Sequence, residues 1–190
     1  MHINKQMTDF VINLLKTKIP DNYYYHNYEH TLYVVDIAIE IGKHEHCTQD
    51  ELGLLAAAAL WHDTGYINIY KGHEEESCIL ARRYLARYGY TTSDIDRICG
   101  MIRATKIPQS THNKLEAIIA DADVEYLGTE NAAAMANNLF KELNALNPLL
   151  TKDVWNKTEI DFLTTHHYFT AYCKENNERI KQSYLRSLIN

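Results

Sequence analysis

Glycine and proline are scarce, at seven and three in 190 residues. So few turn residues argue against many short strands joined by tight turns, and for helices. Positive charge is also short. Nineteen Lys and Arg against 25 Asp and Glu leave a net charge of −6 and a pI near 5.9. That excludes sequence-independent nucleic-acid binding, which needs basic side chains to displace counterions. The four cysteines, Cys47, Cys78, Cys99 and Cys173, lack CxxC or CxH spacing. They read as buried small hydrophobes in a reducing compartment, not as a disulfide or zinc framework. No apolar run approaches the roughly 18 residues needed to span a bilayer. The opening MHINKQMTDF has no apolar signal core. The expectation is a cytoplasmic chain that engages neither membrane nor nucleic acid, with its oligomeric state open.

What is present is an ordinary globular mixture, 46% hydrophobic and 23% charged, long enough to bury a sizeable core. Nearly every segment has helical period. Helices are expected over about 7–18, 28–46, 49–62, 74–88, 93–105, 113–127 and 129–145, and over 151–189 with a break near Lys174. The run LGLLAAAALW within 49–62 is apolar on all sides and suits a central buried helix. Gly65 suits the end of that helix, Gly89 the end of 74–88, and Ser93 an N-cap. Tyr66 to Tyr70 looks strand-like but fits a loop beside the site. No repeat, linker or low-complexity tract interrupts the chain. The fold class is all-α, a single-domain helical bundle over 1–190, with a motif-bearing core at about 20–130 and C-terminal helices at about 131–190.

Three places put metal-binding side chains where apolar ones are expected. In YYYHNYEHTLYVVDIAIEIG, His26 and His30 stand four apart, one helical turn, and His30 shares its face with Val34, Ala38 and Ile41. His62 and Asp63 are adjacent at the end of the most hydrophobic helix. Asp121 and Asp123 follow an apolar run, at about the start of a turn of helix. An unpaired buried carboxylate costs several kcal/mol, so such groups are paired or hold a cation. Each motif alone has a plain structural reading: a hydrogen-bonded core histidine, a helix-end charge, a surface carboxylate. Together, two imidazoles and two carboxylates from separate helices make a mixed N/O site suited to Mn, Fe, Zn, Ni or, less comfortably, Mg.

With its H…HD…D order over about residues 20–130, the chain resembles the HD-domain metal-dependent phosphohydrolases. The resemblance implies an all-helical fold in which His30, His62, Asp63 and Asp123 bind one divalent ion strongly, with Asp121 as the alternative last ligand. Tyr25-His26-Asn27-x-x-His30-Thr31 is similar to the YHNxxHA segment of class I cyclic-nucleotide phosphodiesterases. That similarity makes His26 the general acid and His30 a ligand, and Asp63 would both bind metal and accept the proton of the attacking water. The chain departs from those enzymes after HD, reading TGYINIYKGH in place of HD-x-D-H-P-G. Tyr66 and Ile67 replace the acidic pair of the ppGpp hydrolases' HDxxED, and the HD-GYP signature is absent. Some dinuclear relatives carry a histidine at the position of His73, so a second, weaker metal held through Asp63 is admitted.

His73 and Lys106 are the candidate substrate-binding residues, with helix-entry and helix-end roles as their plain alternatives. His166, His167 and Tyr168 either shape the pocket or belong to an amphipathic helix. The fourteen tyrosines offer surfaces for a nucleobase. The expected reaction is hydrolysis of a phosphoester in a nucleotide-like small molecule. A cyclic-nucleotide phosphodiesterase stands first and a nucleoside monophosphate phosphatase second. A catalytically silent nucleotide-sensing module and a purely structural bundle are the readings from other classes.

Overall fold

A computed structural model describes residues 4–189. Residues 1–3 and 190, the ends of the span read as one domain and part of the signal-free opening, lie outside them. The described residues form ten α-helices and no strand, and none of the helices is long and apolar enough to cross a membrane. In chain order these are α1 (Lys5–Lys18), α2 (Tyr28–His44), α3 (Gln49–Trp61), α4 (His73–Tyr84), α5 (Thr92–Ala104), α6 (Lys114–Asp123), α7 (Ala132–Leu146), α8 (Lys152–Thr165), α9 (Ala171–Asn176) and α10 (Glu178–Ile189).

The centre is α3. Every residue from Leu52 to Trp61 is buried, and the helix is wrapped by α2, α5, α6, α4 and α1. Its start is fixed locally: the Thr48 side chain accepts from the Glu51 amide while Glu51 reaches back to the Thr48 amide. A second, smaller apolar cluster joins Tyr25, Val124, Tyr126 and Leu127 to Leu163 and Leu185. Through it the C-terminal helices cover one side of the first six.

Several boundaries differ from those expected, each for a visible reason. His26 is not on a helix. Asn27 caps α2 by accepting from the Glu29 and His30 amides, so His26 lies just before the cap and only His30 is helical. Thr91, not Ser93, caps α5, because Asp94 at its third position completes a reciprocal box. Lys174 lies inside α9. The breaks fall instead at 166–170 and at Asn177. The first is imposed by Asp121, whose carboxylate accepts from the Phe169 and Thr170 amides at 2.9 and 2.8 Å. His166, His167 and Tyr168 therefore sit in a connection, not on a helix. Asp121 and Asp123 belong to the last turn of α6, not the start of a turn of helix.

Gly65 also has a role different from that expected. It sits in a short 3-10 turn, Thr64–Ile67, beyond the end of α3. A Cβ there would lie 2.0 Å from the His73 carbonyl oxygen, and its amide donates to the Ser77 hydroxyl at 2.8 Å. Only a residue without a side chain lets this turn press onto the first turn of α4.

Candidate metal centre

Two helix C-termini point at one place. His62 and Asp63 follow directly on Trp61, the last residue of α3, and Asp123 closes α6. Helix C-termini carry partial negative charge, so two carboxylates placed there raise a demand for a cation. His30, from the first turn of α2, completes the group.

The distances are short. His30 Nε2 lies 3.1 Å from Asp123 Oδ1, and His62 Nε2 lies 3.3 Å from the same oxygen. Asp63 Oδ2 is 3.2 Å from His62 Nε2 and 3.6 Å from His30 Nε2. Among the described residues, His30, His62 and Asp123 bring one ligand atom each within 4.8 Å of one another. His30, His62 and Asp63 are buried, and Asp123 keeps an open edge, its side chain 16% exposed.

The polar atoms of this cluster fit a metal better than they fit one another. His62 donates from Nδ1 to the Ala59 carbonyl at 2.7 Å, which turns the lone pair of Nε2 inward. That Nε2 and Asp63 Oδ2 are fully buried yet form no hydrogen bond. Buried polar atoms are normally satisfied, so these two leave a demand that the surrounding side chains do not meet. Within the cluster, charge answers charge. Burial works against charge on Asp63 and Asp123, yet the neighbouring imidazoles hold both carboxyls well below the usual range. The same carboxylates overcome the burial of His62 and raise its pKa well above the ordinary value.

Other residues named from the sequence are distributed around this group. His73 reaches the other oxygen of Asp63, Nε2 to Oδ1 at 3.4 Å, and Tyr66 stacks on its ring at 3.8 Å between centroids. The ring of His26 stands 6.0 Å from that of His30 and 6.2 Å from that of His73. Asp121 faces away: besides the two amides above, it accepts from the Thr170 hydroxyl at 2.6 Å. Lys106 is exposed in the turn after α5, where its charge acts on Glu75. It is not brought to the cluster, although its neighbour Ile107 lines a cavity that Asp123 also lines.

One residue of the site escaped the sequence reading. Glu142 of α7 is completely buried. One of its oxygens accepts from the Tyr25 and His26 amides at 2.8 and 2.9 Å. The other pairs with His26 Nδ1 at 2.5 Å and accepts from the Tyr70 hydroxyl at 3.1 Å. Burial raises the Glu142 pKa, but these donors win and hold it below the ordinary value. The signal was faint: Glu142 falls on the same stripe of α7 as Met135 and Leu139, a carboxylate at an apolar position.

The fold has counterparts among solved structures. Three solved structures share the fold at low identity. They are a predicted HD superfamily hydrolase from an uncultured Thermotogales bacterium (20% identity, TM-score 0.62, covering 95% of this chain and 88% of that one), Bacillus subtilis YpgQ in complex with ADP (19%, 0.66, 96% and 91%), and Lin1889 from Listeria innocua (16%, 0.63, 98% and 95%). No curated protein matches the chain. The HD-domain family matches residues 27–126. That span covers more than half of the chain and takes in α2, α3 and α6, the helices that deliver His30, His62, Asp63 and Asp123; the protein belongs to the HD-domain family.

Proposed function

We propose that this protein is a metal-dependent phosphohydrolase acting on a nucleotide-like small molecule, with His30, His62, Asp63 and Asp123 holding the ion. The observation that carries the reading is the buried convergence of two imidazoles and two carboxylates with His62 Nε2 and Asp63 Oδ2 unsatisfied. A divalent ion there supplies Lewis acidity and lowers the pKa of a water. Asp63 turns one oxygen toward His62 and the other toward His73, so beside a bound ion it would be placed to take the proton of an attacking water. The same two-sided geometry suits a second, weaker ion between Asp63 and His73.

His26 is the general acid. Glu142 engages its Nδ1, which leaves Nε2 to protonate the departing oxygen, help worth about 10²–10⁴-fold. The chain works as one domain, in which the C-terminal helices contribute Glu142. The YHNxxH spelling supports a cyclic-nucleotide diester as substrate, and the ADP held by YpgQ supports a linear nucleotide.

One panel of cyclic and linear nucleotides with Mn²⁺, run against Asp63→Ala, decides among these. A 3′,5′-cyclic nucleotide opened to a monophosphate identifies a phosphodiesterase. Free phosphate from a monophosphate identifies a phosphatase. Silence across the panel from a chain that still binds Mn²⁺ stoichiometrically leaves the sensing module, and a chain that takes up no metal ends both readings.

A further inference from the structure

Beside the metal centre lies a second feature that the chemistry above does not use. A cavity of about 240 Å³ is lined by His26 and Asp123 together with Ile107, Trp155, Glu159 and Phe162. It is therefore open to the candidate general acid and to the exposed edge of a candidate ligand. Sites for drug-sized ligands run to roughly 300–1,000 Å³, so this one suits a single flat ring system. Its other walls are mostly apolar, from α7, α8 and the segment after α6.

Two polar groups of its wall are poorly used by the protein, and the carboxylate of Glu159 is the one open to the cavity. The indole N–H of Trp155 is buried and has no hydrogen-bond partner, although the residue is only 6% exposed. Glu159, 7% exposed, accepts from the Tyr184 hydroxyl. A carboxylate has capacity for further donors. The Thr158 hydroxyl on the same wall is already committed to the Val154 carbonyl at 3.0 Å. The cavity thus offers one carboxylate acceptor and an aromatic surface. It repels a second anionic group.

We propose that this cavity is the base subsite: it takes a nucleobase that carries an amine toward Glu159, with Trp155 and Phe162 covering the ring. The placement deepens the phosphohydrolase reading and rests on it, because the base belongs to the group whose oxygen His26 protonates. The nucleoside, not the phosphate end, then leaves on this side.

The test uses neutral nucleosides and the metal-free full-length chain, so that it does not depend on turnover. Adenosine binds saturably by calorimetric titration, and ribose does not. Purine riboside, which lacks the amine, binds about tenfold more weakly than adenosine, the loss of one hydrogen bond to a charged group. Glu159→Gln, which keeps an oxygen for Tyr184, abolishes that preference. Trp155→Phe, which offers the base a smaller ring, weakens adenosine about threefold. Should Trp155→Phe melt early, Ala136→Leu narrows the same cavity from α7 and replaces it. Equal binding of ribose, no saturable adenosine binding, or variants that bind adenosine like the parent would overturn the subsite. Hydrolysis of base-free phosphoesters without adenosine binding removes the subsite and keeps the hydrolase. Adenosine binding in a chain that hydrolyses nothing with Mn²⁺ does the reverse.

Discussion

His62 and His166 are both buried histidines with an Nε2 that meets no hydrogen-bond partner, and their surroundings are opposite in sign. His62 stands between Asp63 and Asp123, at the ends of two helices. His166 stands against Lys181, a fully buried ammonium that donates to its Nδ1 at 3.2 Å and to its carbonyl at 2.6 Å. One environment asks for positive charge and the other already contains it. An orphaned imidazole nitrogen is thus no sign of a metal by itself; the charge around it decides. Burial and Lys181 together push His166 down to about 4, whereas the carboxylates raise His62 despite its burial.

The largest effect comes from removing the negative half of the first environment. Asp123→Asn should cut turnover by about 10³-fold or more, since a metal supplies several kcal/mol of transition-state stabilisation. It should also abolish the Mn²⁺-induced stabilisation against unfolding, which in the parent reaches about 2.7 kcal/mol at a hundredfold excess over Kd. Turnover or metal stabilisation left intact would show that the two sites do not differ in the way described.

The next effect belongs to His166. Its folded pKa of about 4 lies below the ordinary value near 6.5, so between those two pH values the unfolded chain binds the extra proton. Stability from this group is full above about pH 6.5 and is lost as pH falls toward 4. The loss is roughly 3 kcal/mol at most, from about 1.4 kcal/mol per unit. His166→Gln should flatten that part of the profile in urea unfolding. A parent and variant with the same slope would mean that His166 charges without penalty.

The smallest effect concerns His26, which has one carboxylate where His62 has two. Glu142→Gln keeps acceptors for the Tyr25 and His26 amides but removes the charge opposite the imidazole. Turnover of esters with poor leaving groups should fall by about 10²-fold, with metal content retained and activated aryl esters much less affected. Equal loss on both ester types would place Glu142 in holding the Tyr25–His26 segment rather than in proton delivery.

The helices were legible because their causes are local. Thr48 with Glu51, Asn27 before α2 and the apolar run of α3 all act within a turn or two. The breaks in the last third were not, because Asp121 fixes Phe169 and Thr170 from almost fifty residues away. The same distance separates what could be seen of the site. His30, His62, Asp63 and Asp123 stand out as charge on apolar runs that carry a known order. Glu142 lies on a mixed helix outside that order, and only the folded chain brings it to His26. Lys106, chosen as a point charge for a phosphate, is a surface residue, since nothing in a one-dimensional pattern tells which side of a turn a lysine faces.

The seating of Gly65 against the His73 carbonyl has a mechanical meaning. Because the turn after α3 has no slack against α4, Asp63 and His73 behave as parts of one rigid bracket. The amide of Gly65, closed onto Ser77, should exchange its hydrogen only when the bracket as a whole opens. It is an internal clock for the integrity of the metal site.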